Sequence, residues 1–121
     1  MARIFSFGRK STLALRQRRA ALLKQIKVFP DCLRASCVER FSVCGKKNCS
    51  CRQGGPKHGP FYYLTQSLGV GQVHKFFLKT ETQQQSARAA IAHYRQIQEQ
   101  LEELSQINTE LLRRADALPA A

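Results

Sequence analysis

Residues 44–60 read CGKKNCSCRQGGPKHGP. The stretch holds Cys44, Cys49, Cys51 and His58 among the chain breakers Gly45, Gly54, Gly55, Pro56, Gly59 and Pro60. Such a loop needs something other than an apolar core to order it. Structural zinc sites are tetrahedral and take thiolate and imidazole ligands, often with closely spaced cysteines on a tight turn. Cys44-x4-Cys49-x-Cys51-x6-His58 is a set of that kind, three cysteines and one histidine. Gly45 permits the tight turn that lets backbone amides point at a sulfur, and Gly59 lets the chain turn back beside His58. The bland alternative is three unrelated thiols and a surface histidine, but a charged Gly/Pro-rich loop is a poor place for core cysteines. An iron–sulfur cluster is the rival metal group. Its usual local runs leave two or four residues between cysteines, which the single-residue gap fits less well. Cys32 and Cys37 could replace His58 as a ligand, or serve as small buried apolar residues. His74 and His93 have no companion ligands in the nearby sequence.

A catalytic zinc keeps an open coordination position and works with an acid or base. Between Val43 and Thr80 there is no Asp or Glu. The expected site is therefore structural, and the protein is read as a non-enzyme.

Outward from the loop, Val38 to Val43 reads as a short strand. FYYLTQ at 61–66 and VHKFFLK at 73–79 read as a hairpin around Gly69 and Gly71, with a loop of about five or six residues. Together they predict a three-stranded antiparallel sheet. Strand side chains alternate faces, so Tyr62, Leu64, Phe76 and Leu78 share one face. Phe61, Tyr63, Thr65, Lys75, Phe77 and Lys79 share the other. Aromatics stack on bases and lysines meet phosphates, so this second face suits nucleic acid. The alternative is that the N-terminal helix covers it, with the lysines reaching past to water. Lys46, Lys47, Arg52 and Lys57 of the loop extend the basic surface.

Further out lie two helices. Ser11 is a helix N-cap, and the helix runs to about Val28 before Pro30 stops it. Leu15, Leu22, Leu23, Ile26 and Phe29 form its apolar face. Its basic residues lie mostly off that face, and Arg16, Arg18 and Arg19 are candidate phosphate contacts. Residues 81–116 contain no Gly or Pro and predict one long helix, about 50 Å at 1.5 Å per residue. With Ala87 at heptad position a, the a and d positions are nearly all apolar. Tyr94, Ile97, Leu101, Leu104, Asn108 and Leu111 are then candidates for self-association, with Asn108 as a register-setting polar residue. Ile91, Ile107 and Leu112 broaden the stripe beyond a seam, which leaves open an intramolecular pairing with helix 11–28.

The chain has 121 residues and carries 20 Lys+Arg against 8 Asp+Glu, a formal charge of +12. The excess lies in residues 1–80, while residues 81–121 are slightly acidic. Such a charge points to nucleic acid or an anionic surface as partner. Five cysteines is an odd number. MARIFSFGRKS has no apolar run of signal-peptide length, and no run of about 20 apolar residues could span a bilayer. A cytoplasmic, reducing setting and no membrane association are expected. The expected class is α+β. A basic arm and helix occupy 1–37, a zinc knuckle with its three-stranded sheet 38–80, and a long coiled-coil-like assembly helix 81–121.

The string ERFSVCGKKNCSCRQGGPKHGPFYYLTQSLGVGQVHKFF, residues 39–77, resembles a family of small uncharacterised bacterial and phage-borne proteins. Their pattern is C-G-K, C-x-C, then H-G-P followed by aromatics, a hairpin and a long helix ending like EELSQINTELLRR. The resemblance covers residues 39 to about 114. It implies Cys44, Cys49, Cys51 and His58 as metal ligands and Gly45, Lys46, Gly59 and Pro60 as turn residues. This chain departs from it at LGVGQ, where the family has a Gly-Lys turn. Members of the family occur with mobile elements, and the hairpin and helix are loosely similar to arm-type DNA-binding modules of integrases. The leading expectation is a zinc-stabilised nucleic-acid-binding accessory protein, DNA more than RNA, working as a homodimer. The alternative is an adaptor that docks a larger protein through its long helix.

Overall fold

The computed structural model describes residues 4–119. The outermost parts of the 1–37 and 81–121 segments, residues 1–3 and 120–121, lie outside the described residues. The elements are α1 (Thr12–Gln25), β1 (Ser36–Ser42), a single 3-10 turn (Ser50–Arg52), β2 (His58–Gly69), β3 (Gln72–Phe77) and α2 (Glu81–Arg113). The α+β class, the three-stranded antiparallel sheet and the two flanking helices are as the sequence predicts.

Two compact units divide the chain. One comprises Met1–Pro30 with His93–Ala121, and the other is Asp31–Ala92. The 33-residue α2 contributes its first turns, Glu81–Ala92, to the second unit and the remainder to the first.

In the first unit α1 starts where its capping chemistry directs: the Ser11 side chain accepts the Ala14 N–H at 3.0 Å. Leu15 and Leu22, seven residues apart and so on one face, are fully buried against Ile107 and Leu111. Phe7 completes the cluster, with Phe5 and Leu104 packed on it. Part of the apolar stripe of α2 is thus covered within the chain. Leu111 is fully buried, Ile97 is buried, and Leu104 lies against the cluster, whereas Leu101 is half exposed. Ile107, outside the heptad seam, is a better-buried residue than most of those on it.

That packing also sets the fate of the α1 arginines. Arg18 donates to both Glu103 oxygens at 2.6 and 2.8 Å, Arg19 donates to Asn108 Oδ1 at 3.0 Å, and Arg16 pairs with Asp116. Asn108 accordingly has an intramolecular partner. Past the end of α2, Ala115 takes a left-handed φ of 61°. The Ala115 N–H reaches the Leu112 carbonyl at 2.9 Å and the Asp116 N–H the Leu111 carbonyl at 2.8 Å, a Schellman closure with alanine where glycine is usual.

In the second unit the sheet order is β1-β2-β3. Leu64 and Leu78 of the inner face pack against Ala87 and Ile91 of α2, with Leu33, Ala35, Cys37 and Tyr62 around them. Thr80 and Gln83 form a capping box at the start of α2. Thr80 Oγ1 accepts the Gln83 N–H at 3.1 Å, and Gln83 Oε1 accepts the Lys79 N–H at 2.8 Å and the Thr80 N–H at 3.3 Å. The hairpin connection is tighter than expected. β2 runs to Gly69 and β3 begins at Gln72, leaving only Val70 and Gly71 between them. Gly69 and Gly71, both at positive φ, supply the backbone conformations that so short a turn needs.

Candidate metal centre and the sheet face beside it

The sheet brings the ends of the cysteine loop together. Ser42, the last residue of β1, pairs with His58, the first of β2, across a register irregularity between Arg40 and Ser42. Cys44 therefore leaves the sheet next to the strand on which His58 enters it. Between them the chain makes a turn, with the Cys49 N–H on the Lys46 carbonyl at 3.3 Å, and then the 3-10 turn, with the Arg52 N–H on the Cys49 carbonyl at 3.1 Å. Gly55 N–H returns to the Ser50 carbonyl at 2.7 Å. A Cβ on Gly55 would meet that oxygen at 2.6 Å, so only glycine fits this approach. A Cβ on Gly59 would meet the Arg40 carbonyl at 2.8 Å, and its φ of +134° is one that other residues rarely adopt.

This backbone gathers the four expected ligands. One donor atom from each of Cys44, Cys49, Cys51 and His58 falls within 4.8 Å of every other. The Cys44 and Cys51 sulfurs are 3.6 Å apart, and Cys49 Sγ lies 3.2 Å from His58 Nε2. A tetrahedral ion with zinc-like bond lengths would set such pairs about 3.6 to 3.8 Å apart, so the donors already stand near that arrangement. Cys51 is buried, Cys44 and Cys49 are half-buried, and His58 is exposed. The Cys44 N–H points at Cys51 Sγ at 3.4 Å, the kind of amide contact that steadies a metal-bound thiolate. Arg52 Nε donates to the Cys44 carbonyl at 2.8 Å, so this arginine braces the loop.

The electrostatics of the cluster are uneven. The Cys49 thiol is pulled down to about 6, first by the Cys51 backbone amide and then by hydrogen bonds with Cys51, His58 and Cys44. Cys51 receives the Cys44 amide, which favours its thiolate, but burial and the neighbouring sulfurs outweigh this and raise it. Cys32 and Cys37 lie outside the cluster, and the five cysteines of the described residues form no disulfide. His93 stacks on Phe29 with centroids 4.3 Å apart, and His74 lies beside Phe76.

Beside the loop is the outer face of the sheet. Residues paired across antiparallel strands share a face, so the register Val38–Tyr63–Phe77 and the pairs Arg40–Phe61 and Thr65–Lys75 define its surface. Phe77 lies edge-on to Phe61 at 6.1 Å and tilted to Tyr63 at 5.4 Å. The Lys75 ammonium sits 5.0 Å from the centre of the Tyr63 ring. Lys79 follows just beyond β3, and Lys46, Lys47 and Lys57 are exposed on the loop. Arg40 joins this face and was not singled out from sequence. Its position opposite Phe61 depends on the β1–β2 register, which only an alternation argument carried from β2 into β1 could have found.

The family model for a domain of unknown function (DUF6788) matches residues 12–85. The chain belongs to this family. The DUF6788 match begins at the first residue of α1 and ends in the first turns of α2, so it takes in all four candidate ligands and the whole sheet. No curated protein and no solved structure matches the chain. Among the described residues no helix is long and apolar enough to cross a membrane.

Proposed function

We propose that this DUF6788 protein is a zinc-stabilised nucleic-acid-binding module. The observation that carries the reading is the outer sheet face, where Phe61, Tyr63 and Phe77 form one ring cluster with Arg40 and Lys75 among them. From Val43 to Thr80 the chain has six Lys or Arg and no carboxylate, so these cations face no internal competitor within the segment. The α1 arginines contribute less, because Arg16 and Arg18 already pair with carboxylates. Zinc is the metal that best suits three thiolates and one imidazole in a closed tetrahedron. Cys44, Cys49, Cys51 and His58 would hold it, and bound there it supplies folding energy to the loop between β1 and β2. Such thiolates call for a reducing compartment. The rival reading, an adaptor docking through α2, rests on a stripe whose Ile107 and Leu111 are covered by α1.

The test compares two charge reversals of equal size. Lys75→Glu with Lys79→Glu alters the sheet face, and Lys24→Glu with Arg95→Glu alters exposed positions of the other unit. The first pair is expected to weaken binding to mixed-sequence DNA and RNA far more than the second. It should also lower the slope of log affinity against log salt by roughly one unit per lost contact. Equal losses would mean diffuse attraction, and no binding by the wild type at moderate salt would end the reading.

A further inference from the structure

We infer that the outer sheet face is a stacking platform for single-stranded nucleic acid rather than a groove reader of duplex. This rests on the nucleic-acid reading above and goes beyond it by naming the strand state. The three rings of the face lie on the three-stranded part of the sheet. Phe61 is opposite Arg40, Tyr63 is opposite both Val38 and Phe77, and Phe77 keeps 38 % of its surface exposed. A ring can stack on a base only when that base has left its neighbours. In a duplex both faces of each base are already covered, so exposed rings gain little there. The spacing of platform and charge also suits a single strand. Lys75 is 5.0 Å over Tyr63, and Arg40 is paired across the strands with Phe61, so two of the three rings have a cation beside them for a neighbouring phosphate.

The part of the sheet shaped to enter a duplex groove has the wrong chemistry for one. Beyond the Ser36–Thr65 pair β1 ends, and β2 and β3 continue as a two-stranded ribbon to the turn at Val70 and Gly71. A two-stranded ribbon fits the major groove. From Gln66 to His74, however, there is no Lys or Arg, and Leu68, Val70 and Val73 are exposed. The ribbon's own residues carry no cation, and Arg34, which reaches it from outside, donates to the Ser67 carbonyl at 2.7 Å, so the ribbon offers little of the charge that fixes a groove binder in register.

The experiment titrates the zinc-loaded 121-residue chain into labelled strands of roughly 12 nucleotides, within the usual site size of single-strand binders. The probes are single-stranded DNA, single-stranded RNA of the same base order and the DNA duplex, all at one salt concentration. Single strands are expected to bind at least about 10-fold tighter than the duplex. Phe77→Leu keeps the apolar volume and removes the ring. It is expected to cost about 10-fold on single strands and little on the duplex, while Phe76→Leu on the opposite face leaves single-strand binding unchanged. Phe77→Trp serves as a second readout in a chain with no other tryptophan. Its fluorescence should be quenched by single strands and not by duplex, which decides the matter if Phe77→Leu does not fold. The DNA and RNA arms tell which single strand is preferred. Duplex bound as tightly as single strands, or no quenching of Trp at position 77, would overturn the inference and leave the nucleic-acid reading standing. Failure to bind any probe would remove both.

Discussion

Cys49 Sγ and His58 Nε2 stand 3.2 Å apart across nine positions of sequence, with no apolar core between them. Their meeting follows from two constraints. The Ser42–His58 pair closes the sheet at one end of the loop, and Gly55 allows the chain to fold onto Ser50 at the other. A metal ion would convert this proximity into bonds. Cys51→Ala is therefore expected to abolish stoichiometric zinc binding and disorder residues 43–57, whereas His58→Cys, which leaves four thiolate ligands, keeps the metal. Zinc titration with a colorimetric chelator competitor measures both. An unchanged affinity in Cys51→Ala would remove Cys51 from the site.

Zinc uptake should release protons, and fewer than three fully protonated thiols would give. Cys49 titrates at about 6, so at neutral pH it is largely a thiolate before any metal arrives, while the raised Cys51 thiol still carries its proton. Because ligands must be deprotonated to bind, affinity should fall as pH drops through 6, where Cys49 takes up its proton. Calorimetry in buffers of different ionisation enthalpy counts the protons. Affinity that stays constant from about pH 7 to about pH 5 would contradict the assignment.

How much of this was legible in sequence depends on how local the cause was. Ser11 caps α1 through a contact three residues away, and the ligand spacing lies within fifteen residues, so both could be read. The faces of β2 and β3 followed from alternation, as the Tyr63–Phe77 and Leu64–Phe76 pairs show. Arg40 was missed because its face is set by pairing with β2 over a separation of about twenty residues. The expected hairpin loop, residues 67–72, is too long because Ser67, Leu68 and Gly69 continue β2 and Gln72 begins β3, with Gly71 at positive φ inside the two-residue turn and Gly69 at positive φ beside it. The stripe of α2 was seen, but an apolar stripe does not name its partner. Leu15 and Leu22 of α1 meet Ile107 and Leu111 in the same chain, a pairing the sequence left open beside self-association.

Leu111→Ala is expected to destabilise the unit that contains α1 by about 2 to 5 kcal/mol, because the side chain is fully buried and its loss leaves a cavity. Zinc content should not change. Chemical denaturation with metal analysis of the same samples checks it. A cost below about 0.5 kcal/mol, the range of ordinary surface changes, would show that Leu111 does not pack as described.

Ala115→Gly should stabilise the protein by about 1 kcal/mol. The alanine occupies a left-handed conformation that costs an L-residue about 1 to 2 kcal/mol, and glycine gives back part of the gain through its freer unfolded chain. Thermal unfolding reads the difference, and a destabilisation would mean that the closure at Leu111 and Leu112 is not formed.

Acid should loosen the end of α2 late. Glu110 accepts hydrogen bonds from Arg113 and Arg114, which hold its carboxyl at about 2, below its ordinary 4.5. A depressed carboxylate contributes stability above its unfolded value, and that contribution fades as pH falls from about 4.5 toward 2. Arg114 also donates to the carbonyls of Phe7 and Lys10 at 3.1 and 2.8 Å, so the N-terminal segment should loosen with it. Glu110→Gln is expected to flatten the pH dependence of stability in this window. An unchanged pH profile in that variant would rule out Glu110 as its source.

The central claim is that a metal ion orders the loop joining β1 to β2. Native mass spectrometry of protein purified without a metal-binding tag tests it most directly, before and after dialysis against a strong chelator, with amide exchange measured on both samples. The account predicts one zinc per chain and protection across residues 43–58 that is lost when the metal is removed. A chain that carries neither zinc nor iron, yet protects those residues equally well, would contradict it.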